Sequence, residues 1–251
     1  MIELPQGWAG EAWFVAALLL LTVIATLVMR WARLELGWQA VTAVLRAALQ
    51  LGVVALVLSG VLSTPWTVAL FILLMLTTAS LTSARRLTEV YQGRRGAVLG
   101  VLAASLLTVV LVFALHLMDW TVRYLIAVAG IIIGNAMAGA TLVGRTFHAT
   151  ARERAGEIEG WLALGATPPV AHDDIGRQSV REMLIPSVDQ TKSTGLVTLP
   201  GAFVGAIMGG ASPVEAAKFQ LVVLAGILLA KAVSGIVVAR VAGRSPFVPY
   251  G

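Results

Sequence analysis

Asp189 and Lys192 stand three residues apart in a largely apolar stretch, a spacing that puts both on one helical face where they can pair. An ionisable group at the centre of a hydrocarbon layer costs about 3 kcal/mol or more, so such a pair either ends a span at the interface or serves a solute. Thr191, Ser193, Thr194 and Thr198 make the same stretch hydrophilic, and Pro200-Gly201 interrupts it. A proline there frees a backbone carbonyl, which is tolerable only against protein or a wet cavity. The combination predicts a helix lining a pathway, with Asp189, Lys192 and Thr194 as candidate contacts. Asn135, between Gly134 and Ala136, either bridges two helices or coordinates a passing solute. Arg46 and Gln50 share one face of an upstream apolar stretch; Arg46 either snorkels to the interface or joins the pathway. Lys231, in the middle of the last apolar stretch, needs a partner such as Asp189 or a carbonyl.

Other chemistry is missing. There is no cysteine, which excludes disulfides, thiolate metal sites and cysteine nucleophiles. His116, His148 and His172 lie on different connections, and no metal-ligand cluster, serine-protease string or His-Glu-x-x-His string is present. The phosphate-binding Gly-x-x-x-x-Gly-Lys-[Ser/Thr] loop is also missing. No catalytic residue is assigned, and this chain cannot by itself hydrolyse ATP.

The elements that position these residues follow from composition. Of 251 residues, 58% are hydrophobic and 12% charged, against about 25% charged in soluble domains. Mean hydropathy is +0.88. The chain is predicted to be an all-α integral membrane protein. Runs of about 18 or more apolar residues can cross the bilayer as helices, and seven occur, at approximately 11–29, 40–62, 66–84, 97–118, 121–143, 190–210 and 219–239. The first is not expected to be a cleaved signal peptide, because Glu3 and Glu11 precede it whereas Arg30 and Arg33 follow. With the N-terminus outside, thirteen basic residues fall on inner connections and only Arg123 and Lys218 on outer ones. That split places the C-terminus in the cytoplasm, and the net charge of +5 reflects orientation rather than nucleic-acid binding.

One long connection, about 144–189, is expected on the cytoplasmic side. Phe147, Ala151, Ala155, Ile158 and Leu162 recur every three to four residues, giving an apolar stripe on a helix over 145–164. Gly165 should end that helix, with Pro168-Pro169 blocking continuation. A second helix is predicted from about Val170 to Leu184, ending before Pro186. The pair is either an ordinary interfacial hairpin or a coupling element for an ATPase, with Glu157, Leu164, Gly165, Ala166 and Thr167 as the candidate contacts. Glycines at four-residue spacing, Gly130/Gly134 and Gly201/Gly205/Gly209, predict close helix approach. Gly134, Pro200 and Gly201 are candidate hinges.

Several ordered motifs carry a resemblance. Gly134-Asn135-Ala136-Met137, Leu164-Gly165-Ala166-Thr167-Pro168, Ile185-Pro186-Ser187-Val188-Asp189-Gln190-Thr191-Lys192, Gly195-Leu196-Val197 and Leu199-Pro200-Gly201 resemble the FetB-type permease family. These are membrane subunits of iron-export ABC transporters, and plant aluminium-tolerance transporters have similar subunits. The match is strongest over about 126–225, with Arg46…Gln50-Leu51 and Ala84-Arg85 adding upstream support. The resemblance implies a single permease domain over residues 1–251 in the plasma (inner) membrane, acting as a homodimer among membrane lipid. It implies a cytoplasmic ATPase partner that carries ATP and magnesium, none of it bound by this chain, and export of a metal ion, iron by resemblance alone. A different class of function, an ATP-independent channel or carrier, predicts no association with an ATPase.

Overall fold

The structure, a computed structural model, describes residues 8–34, 36, 38–61 and 65–247. Among them the regular elements are helices: α1 (Trp8–Trp31), α2 (Gln39–Val61), α3 (Pro65–Arg86), α4 (Gly93–Ala114), α5 (Val122–Glu153), α6 (Ala155–Ala163), α7 (Pro168–Ala171), α8 (Asp173–Ser193), α9 (Gly201–Met208) and α10 (Pro213–Ala242). Six of these, α1 to α5 and α10, are long and apolar enough to cross a membrane. Their starts follow local chemistry. Thr121 caps α5 by accepting a hydrogen bond from the Tyr124 amide. Ser212 and Glu215 form a reciprocal capping box at α10, with Pro213 in the first turn.

The chain divides into two compact units, Met1–Ser63 and Thr64–Gly251. The first holds α1 and α2, joined by a turn in which Arg33 takes φ 54° and the Arg30 guanidinium lies 5.6 Å from the centre of the Trp38 ring.

In the second unit, close contacts fix the helix directions. Along α10, Gly226 meets Ile132, Gly139 meets Lys231, and Gly235 meets Val143, so α10 runs parallel to α5. Gly96 against Val241 and Gly100 against Ser234 make α4 antiparallel to α10. Met75 beside Gly130, the Ser83–Thr141 hydroxyl bond of 3.0 Å and Leu87 against Gly144 make α3 parallel to α5. Gly176 beside Ala239 and Met183 beside Gly235 make α8 antiparallel to α10. Small residues permit these approaches: Ala97, Ala104, Ala136 and Ala140 are fully buried. A Cβ at Gly100 would lie 2.9 Å from the Ser234 carbonyl oxygen, a backbone atom that cannot step aside. Gly100→Ala is therefore expected to destabilise the fold by about 1–3 kcal/mol. A Cβ at Gly134 meets nothing within 4 Å, so Gly134→Ala should leave the thermal midpoint in detergent unchanged or raised.

Three expectations are corrected. First, α5 does not stop near residue 143; it runs 32 residues to Glu153, about 48 Å at 1.5 Å per residue, beyond the roughly 30 Å of hydrocarbon. The apolar stripe over 145–164 is therefore split between the end of α5 and α6. Second, the second loop helix continues past Pro186 to Ser193. Pro186 and Glu182, whose carbonyl the proline leaves without its helical donor, both lie on the exposed side of α8, so no buried group is orphaned. Third, residues 190–210 do not form one spanning helix. Because α5 and α10 are parallel, the chain must return between them, and it does so through α8, an irregular turn and the eight-residue α9. In that turn Gly195 takes φ +91° and donates to the Thr198 carbonyl at 2.8 Å, and Pro200, at φ −65°, opens α9.

Candidate functional site

The elbow between α5 and α8 is built around Arg154. It is the break between α5 and α6, at φ −102° and ψ 25°. Its Nε donates to Glu157 Oε2 at 2.8 Å and one terminal nitrogen to Glu157 Oε1 at 2.7 Å. The other terminal nitrogen donates to Asp174 Oδ2 at 2.9 Å and Gln178 Oε1 at 3.3 Å. One guanidinium thus ties the base of α6 to the first two turns of α8. Bonding to Glu157, and then to Asp174, raises the Arg154 pKa above its usual value and keeps the clamp charged.

Beneath the clamp Ile158 is fully buried, and His172 is 2% exposed with its ring stacked on Phe147. The His172 Nδ1 donates to the Pro168 carbonyl at 2.8 Å, which anchors α7. At the tip, the Ala166 amide donates to the Trp161 carbonyl and the Gly165 amide to the Leu162 carbonyl, each at 3.0 Å. That is a Schellman closure, and Gly165 adopts the left-handed φ +89° that it requires. Thr167 is extended and Pro168 starts α7. The chain is therefore rigid where it turns, and it holds apolar side chains outward. Leu164 is 83% exposed, with Trp161 and Val170 also exposed. Ala166 is half-buried; Glu157, Gly165 and Thr167 are exposed.

The polar residues of the spans are only partly brought together. Lys192 Nζ lies 3.2 Å from Asp189 Oδ1, the expected i,i+3 pair, with both side chains exposed. Thr194 Oγ1 donates to the Gln190 carbonyl at 2.8 Å. Asn135 does not bridge two helices among the described residues: its Nδ2 donates to the Ile131 carbonyl of its own helix at 2.9 Å. Lys231 pairs with neither Asp189 nor a carbonyl; its Nζ donates to Ser187 Oγ at 2.7 Å, joining α10 to α8. Arg46 and Gln50 are exposed on α2, in the other unit. Pro200 and Gly201 open α9, where an added Cβ at Gly201 meets nothing within 4 Å. Gly205 is equally open, and Gly209 approaches only its own helix, so the predicted Gly201/Gly205/Gly209 ladder packs against no other helix here. Among the described residues no three His, Asp or Glu side chains gather into a metal-binding group.

Sequence reasoning missed four residues: Arg154, Asp174, His172 and Ser187. Arg154 and Glu157 carried a readable i,i+3 signal, but Asp174, twenty positions on, did not. Ser187 and His172 had no local signal that set them apart.

Long apolar helices packed through glycine and alanine, with charged residues gathered at connections, define an all-helical, multi-pass integral membrane protein. The chain belongs to the family described as Uncharacterised protein family (UPF0014), whose pattern matches residues 12–247. It is 39% identical over 207 residues to the UPF0014 membrane protein STAR2 of Oryza sativa subsp. japonica, covering 81% of this chain and 72% of that one. It is 34% identical over 224 residues to the Protein ALUMINUM SENSITIVE 3 of Arabidopsis thaliana, covering 88% and 82%. With the Probable iron export permease protein FetB of Escherichia coli (strain K12) it shares 29% identity over 225 residues, covering 89% and 87%. The resemblance carried by the sequence motifs therefore holds. No solved structure matches this chain.

Proposed function

We propose that this chain is the permease subunit of an ABC transporter in the plasma membrane, exporting a metal ion under the drive of a separate ATPase. The observation that carries this reading is the elbow: a clamped, glycine-closed turn presenting Leu164 almost wholly to its surroundings, with Trp161 beside it. An apolar residue held out on a rigid support suits insertion into a groove of a protein partner. The name of the Escherichia coli relative supports iron as the cargo.

In this reading two copies form the pathway and two ATPase subunits dock on their elbows. ATP and magnesium are held by the partner, and closure of the ATPases pushes the Glu157–Thr167 segment. Arg154 passes that displacement to α8 through Asp174 and Gln178. α8 carries the Asp189–Lys192 pair, and Gly134, Pro200 and Gly201 supply the freedom to tilt. Asp189 offers negative charge to a cation, while Lys192 neutralises it when the site is empty. Asn135, whose nitrogen bonds the Ile131 carbonyl, offers its side-chain oxygen to the same cargo. Thr194 completes the candidate pathway within this unit.

Asp189→Asn tests the pathway assignment. Metal export from cells should fall roughly tenfold or more, the loss expected for one charge-assisted contact of about 1.5–3 kcal/mol, while co-purification of the ATPase stays intact. Full export in that variant removes Asp189 from the pathway. Nucleotide-independent carriage of metal by the purified chain alone in vesicles would overturn the whole reading.

A further inference from the structure

Beside the contact of α8 with the last turns of α10 lies an open groove of about 1090 Å³. Its lining changes with depth. Near Ala242, where α10 ends, Arg177 and Arg181 of α8 and Arg240 and Arg244 of the α10 end surround the opening. Val180 lies between the two α8 arginines; further along, the walls are Leu184, Val188 and Ile236, and the Asp189–Lys192 pair closes the far end. All four arginines are exposed. Arg177 is bonded to Asp173 at 2.6 Å, but Arg181, Arg240 and Arg244 have no carboxylate partner among the described residues.

The dimensions match the bilayer. From Arg181 to Lys192 is eleven residues of helix, about 16 Å. That is close to one leaflet of hydrocarbon, half of roughly 30 Å. With the uncompensated guanidinium groups at headgroup level, the apolar trough running inward from them is as long as one leaflet. A small soluble anion would leave the trough unfilled. At the arginine end of the groove a second copy would add basic residues at the same depth, which opposes its close approach there.

We propose that this groove binds an anionic phospholipid. Its phosphate sits among Arg181, Arg240 and Arg244, and one acyl chain runs along Leu184, Val188 and Ile236. Basic pockets between spanning helices are suited to such headgroups.

Native mass spectrometry of the full chain in detergent tests this, with phosphatidylglycerol and phosphatidylcholine of the same acyl composition as probes. One phosphatidylglycerol per chain should be retained in preference to phosphatidylcholine. The double variant R181Q/R240Q should weaken phosphatidylglycerol binding about thirtyfold with an unchanged thermal midpoint. Leu184→Trp, which fills the trough, should weaken it with the arginines intact. Wild-type retention by R181Q/R240Q, or equal retention of the two lipids, overturns the proposal. Displacement of bound lipid by glycerol phosphate alone also overturns it, since the site would then be one for a soluble anion. The chain has no cysteine, so Val188→Cys supplies a single thiol. A disulfide-linked dimer of that variant in nanodiscs would assign the groove to a second copy instead.

Discussion

Leu164→Asp is expected to abolish co-purification of the ATPase subunit while leaving the permease folded. Leu164 is 83% exposed, and the turn that presents it is closed by backbone bonds from Gly165 and Ala166. Surface changes of this kind usually shift stability by no more than about 0.5 kcal/mol. A carboxylate forced into an apolar docking groove is another matter. Loss of a central apolar anchor costs about 2 kcal/mol or more, roughly thirtyfold in affinity, before the desolvation of the new charge is added. The check is a pull-down of the co-expressed ATPase beside a thermal melt of the isolated permease. Leu164→Met, which keeps the apolar volume, should retain the partner. Wild-type recovery of the ATPase with Leu164→Asp would remove the elbow as the docking element.

The second large effect concerns Lys231. Its Nζ is held by Ser187 Oγ at 2.7 Å, and its chain packs against Gly139. Ser187 is 5% exposed, so water has little access to replace it. Ser187→Ala leaves a half-buried ammonium short of an acceptor, which costs about 1–3 kcal/mol. Lys231→Met keeps the length of the side chain without the charge and is expected to cost less than about 1.5 kcal/mol. In the double variant the Ser187→Ala penalty should largely vanish, because no ammonium remains to be satisfied. Thermal midpoints in one detergent measure all three. Additive losses in the double variant would show that the Lys231–Ser187 bond does not couple α8 to α10.

Much of the fold was legible in the sequence because hydrocarbon imposes a simple demand. Five early apolar runs and the last one became α1 to α5 and α10 within a few residues at most ends. Failures came where burial depends on a neighbour. The stretch 190–210 has the length of a span, yet its serine, threonine, glycine and proline residues divide it. The return leg starts at Asp173 because α10 supports a helix too polar to be recognised alone. Ser187 and Asp189 show the same limit. They lie about 200° apart around α8, and sequence does not say which face turns to Lys231. Four-residue glycine spacing likewise identified stripes of small residues but not the stripes with neighbours. Gly100, Gly139 and Gly235 pack closely, whereas Gly134 and Gly201 face open space. For the elbow, Gly165 and the prolines announced the turn, but the clamp needed Asp174 from the next helix.

The polarity of α8 bears on how the protein is made. Seven of its 21 side chains are charged, and each charge placed at mid-bilayer depth adds about 2.5–3.5 kcal/mol to insertion. Such a segment will not leave the translocation channel for lipid unaided. It must wait at the surface until α10 has been synthesised and can shelter it. The two-piece return is thus assembled after the helix that follows it, and the Lys231–Ser187 bond can form only once Lys231 has been added.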